Sequence, residues 1–254
     1  MRFWDSLKWR MKFRRDFKVM SSFTKMDELY EYAVKQENQK FITAIIEDQD
    51  ASKFIRRTGP EEHMQMLSYF DIDLTDKAVL ELGPGWGEFL RLAESRDAKV
   101  LDFVDYHPYY FTYNRLLGFN GFKNEYYGTG AFRGIPTRKY DVILSRGSIN
   151  ADRFERKFFG TWKNPLGFAD WLRRLEELAK PGADIIICPT YDVGWGEFEF
   201  VNIGRRKVFE WMVFRGYEMI TDIDKFNHPK CFPFVFHKKV SLDDTKDGLY
   251  NCDL

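Results

Sequence analysis

Residues 78–92 read Ala-Val-Leu-Glu-Leu-Gly-Pro-Gly-Trp-Gly-Glu-Phe-Leu-Arg-Leu. The first five form a short, mostly apolar run, the composition of a strand buried in a parallel sheet. Three glycines follow at alternate positions, Gly83, Gly85 and Gly87. From Glu88 to Ser95 the apolar residues Phe89, Leu92 and Ala93 fall at helical spacing. Strand, glycine turn and helix in that order put backbone N–H groups and a helix N-terminus at the carboxyl edge of a sheet. Glycine suits such a turn because it accepts positive φ and has no Cβ to hold a ligand away.

The spacing narrows the ligand. A dinucleotide-binding turn carries Gly-x-Gly-x-x-Gly, but Glu88 stands where the third glycine belongs. A Walker loop needs Gly-Lys-Ser or Gly-Lys-Thr, and the turn has no lysine. The remaining pattern, Glu81-Leu82-Gly83-Pro84-Gly85-Trp86-Gly87, resembles motif I of the class I S-adenosylmethionine (SAM) methyltransferases. A glycine triplet alone is equally a structural turn, so the order of the other elements has to support the resemblance.

Lys99 to Asp105 is the second strand, ending on an acid. A carboxylate there accepts from both ribose hydroxyls in nucleotide and SAM folds; a solvated strand-end Asp is the alternative. Tyr106 follows and is placed to stack on adenine, and His107-Pro108 opens a helix through Tyr109, Tyr113, Leu116 and Leu117. Glu125 to Gly128 reads as a third strand. Thr129 and Gly130 then fall where the resemblance implies an adenine-contacting loop, without the Asp often found there. Tyr140 to Ser145 is the fourth strand, with Ser145 counted among the cofactor positions. The residues after it, Arg146-Gly147-Ser148-Ile149-Asn150, lack the Asn/Asp-Pro-Pro-Tyr of the DNA-base and protein-glutamine amino-methyltransferases. That argues against methylation of a nucleobase nitrogen. A helix over 168–180 stops at Lys180-Pro181-Gly182, and the apolar strand Asp184–Pro189 follows, the neighbourhood of motif III. A helix over 204–215 and two strands, 217–224 and 232–240, close the pattern.

The resemblance, over residues 60–240, implies an α/β, Rossmann-like, doubly wound seven-stranded sheet of order 3-2-1-4-5-7-6 with the last strand antiparallel. An N-terminal helical extension precedes it: one helix over 24–48, opened by Thr24 with Glu28 nearby, and another from Glu61. The expected divisions are 1–60, a basic and aromatic arm with a helical cap; 61–240, the methyltransferase domain; and 241–254, a polar tail. SAM is the implied cofactor and S-adenosylhomocysteine the product. Glu81, Gly83, Gly85, Trp86, Gly87, Asp105, Tyr106, Thr129, Gly130 and Ser145 are the implied cofactor positions.

The acceptor is less determined. The favoured reading is a small molecule methylated on oxygen, a sugar or phosphorylated metabolite. A protein or RNA acceptor, or a non-catalytic SAM-binding scaffold, stands as the alternative. His107 and Asp192 are candidate bases at the carboxyl edge, and Arg146 is placed to meet an anionic group on the acceptor. Against these stand a helix-start or core histidine, a loop carboxylate and a surface salt bridge. No ligand spacing suggests a metal.

Composition sets the bounds. The chain has 254 residues, 44% hydrophobic and 18% aromatic, with 39 Lys+Arg against 39 Asp+Glu. Zero net charge gives no overall field toward nucleic acid. No apolar run is long enough to span a bilayer and no secretory signal is evident. The cysteines, Cys188, Cys231 and Cys252, have no metal-ligand spacing, which fits a reducing cytoplasm. Residues 1–20 alternate aromatics (Phe3, Trp4, Trp9, Phe13, Phe17) with Arg and Lys. Docking on the domain or on a second subunit is the favoured reading of that arm; peripheral membrane contact lacks one clean apolar face, and RNA stacking is the remaining alternative.

Overall fold

The computed structural model describes residues 3–48, 59–105, 107–123, 138–150, 168–190, 212–220 and 235–241. Among these, the strands β1 (Ala78–Leu82), β2 (Val100–Asp105), β3 (Asn120–Lys123), β4 (Tyr140–Asn150), β5 (Ala179–Thr190), β6 (Glu218–Ile220) and β7 (Val235–Lys239) form one sheet of order β3-β2-β1-β4-β5-β7-β6. β1 runs parallel to β2 and β4, β2 to β3, and β4 to β5, whereas β7 is antiparallel to both β5 and β6. This is the order and the antiparallel ending expected for a class I methyltransferase fold.

The helices are α1 (Phe3–Met20), α2 (Met26–Lys35), α3 (Gln39–Asp48), α4 (Gly59–Tyr69), α5 (Glu88–Ser95), α6 (Pro108–Leu116) and α7 (Phe168–Leu178). Side-chain alternation along the strands builds two cores. On one face Leu80, Leu82, Ile143, Ile185 and Ile187 meet Leu172 and Leu175 of α7. On the other, Val79, Val142, Leu144, Ile186 and Cys188 meet Met66 and Leu67 of α4 and Phe89 and Ala93 of α5. Every residue of β1 is buried, as its apolar run requires.

Three expectations are corrected. The helix over 24–48 is two helices. Glu37 adopts φ 52°, the Glu37 N–H bonds Val34 O at 2.9 Å and the Asn38 N–H bonds Ala33 O at 2.9 Å, a left-handed C-terminal stop that turns the chain back. Glu28 lies at the start of α2, where its carboxylate accepts from the N–H groups of Thr24 (2.6 Å) and Lys25 (2.9 Å). The strand beside β2 is Asn120–Lys123, upstream of the expected 125–128, which lies outside the described residues. Asn and Gly are poor strand formers, so pattern hides it; Gly121 is there because a Cβ would fall 2.5 Å from the Phe103 ring. Finally, β4 runs past Ser145 to Asn150 and β5 begins at Ala179. Of the expected helix over 204–215 and strands over 217–224 and 232–240, the structure describes residues 212–215, 217–220 and 235–240.

α1, α2 and α3 share a core with α6, formed by Met20, Leu29, Ala33, Phe41, Ile45, Tyr109 and Tyr113. Arg115 of α6 reaches across to donate to the carbonyls of Ser21 (3.0 Å) and Met20 (3.3 Å), capping the end of α1. Phe17 packs edge-on against Phe111 at 5.3 Å. The C-terminal half of α1 therefore docks on the domain, as the favoured reading of the arm expects. Met11, Lys12, Arg14, Arg15 and Lys18 face outward.

Gly121→Ala should lower the melting temperature by roughly 3–8 °C, the cost of overpacking Phe103 being about 1–3 kcal/mol. An unchanged thermal midpoint would show that β3 does not rest on that ring.

Candidate ligand crevice at the carboxyl edge

After β3 the chain crosses back over the sheet to lay β4 on the other side of β1. Such a reversal opens a crevice beyond the carboxyl ends of the strands. Leu82 is in register with Ser145 on one side and Val104 on the other, so the glycine turn, Asp105 and Arg146 follow at one level. All three glycines of the turn have positive φ: 69° at Gly83, 56° at Gly85 and 73° at Gly87. The Gly83 N–H bonds Val104 O at 2.8 Å, pinning the turn to the end of β2.

The glycines do different work. A Cβ built on Gly85 meets no atom of the described residues within 4 Å, so this residue presents bare main chain. A Cβ on Gly87 would fall 2.1 Å from Asn114 Oδ1, so Gly87 serves packing against α6. Gly87 also N-caps α5 without a side-chain bond. Glu81 supplies the missing cap: its carboxylate accepts from the Leu90 N–H in the first turn of α5.

Glu81 is 3% exposed, and its Oε2 has no hydrogen-bond partner among the described residues. Burial pushes its pKa well above the usual carboxylate range, and the negative charges of Glu88 and Asp105 push it further. Asp105 is buried at the end of β2, and its Oδ1 accepts from the His107 N–H at 2.7 Å. Three acidic side chains thus lie close enough beside the glycine turn to repel one another. That arrangement favours a cationic ligand.

His107 N-caps α6 ahead of Pro108. Its ring stacks on Phe41 (5.6 Å, 12°) and lies 4.9 Å from Tyr110. Burial, with Lys40 and Lys12 nearby, lowers its pKa to about 4, so it is neutral at physiological pH. A base of that strength is a weak proton acceptor, and the geometry favours the packing reading. Trp86 joins the same cluster, 4.8 Å from Phe41, 5.0 Å from Tyr110 and 5.3 Å from Tyr113. Its ring packs against α3 and α6.

On the β4 side, Ser145 is fully buried. Arg146 is ion-paired with Glu62 of α4, and its Nη1 lies 3.5 Å from His63 Nε2. Its charge is therefore already compensated within the fold. Tyr106, Thr129, Gly130 and Asp192 lie outside the described residues. Among the described residues no group of three or more His, Cys, Asp or Glu is placed to hold a metal ion, and no helix is long and apolar enough to cross a membrane.

Sequence reasoning misses Phe41, Glu62 and Asn114. Phe41 reads as one of many apolar helix residues, and Glu62 as a helix-start acid. Asn114 does leave a signal: a poor helix former set inside the apolar stripe of α6.

No family model and no curated protein matches the chain. Among solved structures it is similar to a protein of Methanococcus maripaludis provisionally named a SAM-dependent methyltransferase, with 15% identity and a TM-score of 0.47 over 72% of this chain and 85% of that one. It is similar to the plantazolicin methyltransferase BpumL, with 14% identity and a TM-score of 0.45 over 83% of this chain and 96% of that one. A SAM-dependent methyltransferase of Aquifex aeolicus gives 18% identity and a TM-score of 0.42 over 73% of this chain and 93% of that one.

Because the folded state raises the Glu81 pKa, its carboxyl contributes stability that is present below the ordinary carboxylate range and lost as pH rises through the folded value. Glu81→Gln keeps the acceptor for Leu90 and removes the charge. It should melt a few degrees higher than wild type at pH 8, with the difference shrinking toward pH 5. A variant equally destabilised at both pH values would show that Glu81 is ionised and well compensated.

Proposed function

We propose that this protein is a class I SAM-dependent methyltransferase. The observation that carries the proposal is the buried Glu81 carboxyl, one oxygen of which has no hydrogen-bond partner among the described residues, four positions before the bare main chain of Gly85. The residues present fit the cofactor. SAM bears an α-ammonium group and a sulfonium, cations that relieve the repulsion among Glu81, Glu88 and Asp105, and its ribose has two hydroxyls for a carboxylate to receive. When bound, it supplies a methyl group for in-line displacement, the carbon–sulfur bond breaking as the bond to the acceptor forms.

The protein's part is placement. Glu81 takes the ammonium, Gly83 and Gly85 let the ligand lie against backbone, and Asp105 takes the ribose. Trp86 and Gly87 act by shaping the turn, the first through its aromatic neighbours and the second through contact with α6. Tyr106, Thr129, Gly130 and Ser145 complete the proposed cofactor positions. Holding the reactants in line and dry is the main catalytic contribution, because the electrophile arrives already activated. An oxygen acceptor needs its proton removed, and the weak basicity of His107 leaves Asp192 as the preferred base of the two. Residues 1–60 are read as a cap on the 61–240 domain, consistent with the core that α1, α2 and α3 share with α6.

The acceptor proposed is a small molecule methylated on oxygen. Arg146, neutralised by Glu62, favours an acceptor without a strong negative charge, a sugar over a phosphorylated metabolite. A macromolecular acceptor is the second reading, and the exposed Lys12, Arg14, Arg15 and Lys18 on α1 are what favour it. Reversing those four charges to Glu should leave small-molecule turnover within about threefold; loss of turnover with the fold intact would favour the second reading.

Calorimetry tests the cofactor assignment. SAM and S-adenosylhomocysteine should both bind, and Asp105→Ala should weaken each at least ~10-fold, about 1.4 kcal/mol. No heat with either ligand, or unchanged affinity in the variant, would contradict the site.

A further inference from the structure

The glycine turn is held from outside. Asn114, in the second turn of α6, is fully buried. Its amide nitrogen donates to Gly85 O at 2.8 Å and to Tyr110 O at 2.9 Å. The second bond, to the carbonyl four residues back, locks the side chain against its own helix; the first crosses to the turn. Oδ1 lies against Gly87, where a Cβ would fall 2.1 Å away, and has no hydrogen-bond partner among the described residues. Leaving a buried amide oxygen unpaired is destabilising. A leucine of similar shape would avoid that cost but leave the Gly85 carbonyl without this donor.

From this we infer that Asn114 is a positioning residue, a latch that sets the orientation of the Gly85–Trp86 peptide for nucleoside binding. The inference rests on the cofactor reading above. The peptide unit is planar and trans, so its C=O and N–H point in opposite directions. Pinning Gly85 O toward α6 turns the Trp86 N–H away from α6. The same helix begins just past Asp105, so the latch also fixes the distance between the turn and the ribose wall. A second tie, Arg91 Nη2 to Tyr113 Oη at 2.9 Å, joins α5 to α6 beside it. The role of Gly87 follows as well: any side chain there would push Asn114 off Gly85.

Asn114→Asp separates latch from packing, because it keeps the shape and replaces the donor by an acceptor facing two carbonyl oxygens. At pH 8 the variant should bind S-adenosylhomocysteine at least ~10-fold more weakly than wild type. Amide hydrogen exchange should quicken across residues 83–90 while β5 stays protected. Near pH 5 the carboxyl, kept protonated by its surroundings, again donates to Gly85 O, and the ratio to wild type should narrow at least ~3-fold. Asn114→Leu fills the space without a donor and should be weak at both pH values; it carries the test if the Asp variant does not fold. Wild-type affinity and exchange in Asn114→Asp, or a ratio that does not change with pH, would overturn the latch. Should wild type bind no S-adenosylhomocysteine, the methyltransferase reading fails on its own, and the exchange pattern alone decides the latch.

Discussion

A carboxyl group buried near the carboxyl end of the first strand is what the rest of the crevice is built around. Glu81 caps α5 in place of a side chain that Gly87 cannot supply, and so ties the glycine turn to the helix that follows it. Only one of its oxygens is used in this way. The other faces inward with no partner, near Glu88 and Asp105. Keeping an acid there beside two others carries an electrostatic cost, which in the proposed function an ammonium or sulfonium of the ligand removes. In that proposal structure and binding meet in one side chain.

The frame that produces this is supplied by the parallel strands. β1 lies between β2 and β4, so the turn after it opens where the chain changes direction across the sheet. α6 then serves two walls at once. Its N-terminus follows Asp105 and His107, and its second turn presents Asn114 to Gly85. The N-terminal helices close over the same region through Phe41, whose ring meets Trp86 on one wall and His107 on the other. Phe41, Trp86, Tyr109, Tyr110 and Tyr113 pack together here, in line with a core reading of part of the aromatic content.

The parallel core was legible because its signals are local and strong. Ala78–Leu82, Tyr140–Ser145 and Asp184–Pro189 are apolar runs, and the glycine spacing belongs to one kind of turn. β3 was not legible, since Asn120 and Gly121 disfavour strands and only contact with Phe103 and pairing with β2 make the segment one. The break at Glu37 was hidden too, because a non-glycine residue in the left-handed region gives no sequence warning. At the site, the acids could be read from their positions relative to the strands. The fate of Arg146 could not, because its partner Glu62 comes from a helix more than eighty residues earlier in the chain. His107 likewise reads as a base in sequence and as an aromatic neighbour in three dimensions.

The most direct test is the number of protons released when S-adenosylhomocysteine binds, obtained from calorimetric titrations in buffers of different ionisation enthalpy near neutral pH. If Glu81 meets the ligand's ammonium, binding favours its ionised form, so the account predicts net proton release in wild type and none from this source in Glu81→Gln. Tight binding with the same proton balance in both proteins would contradict it.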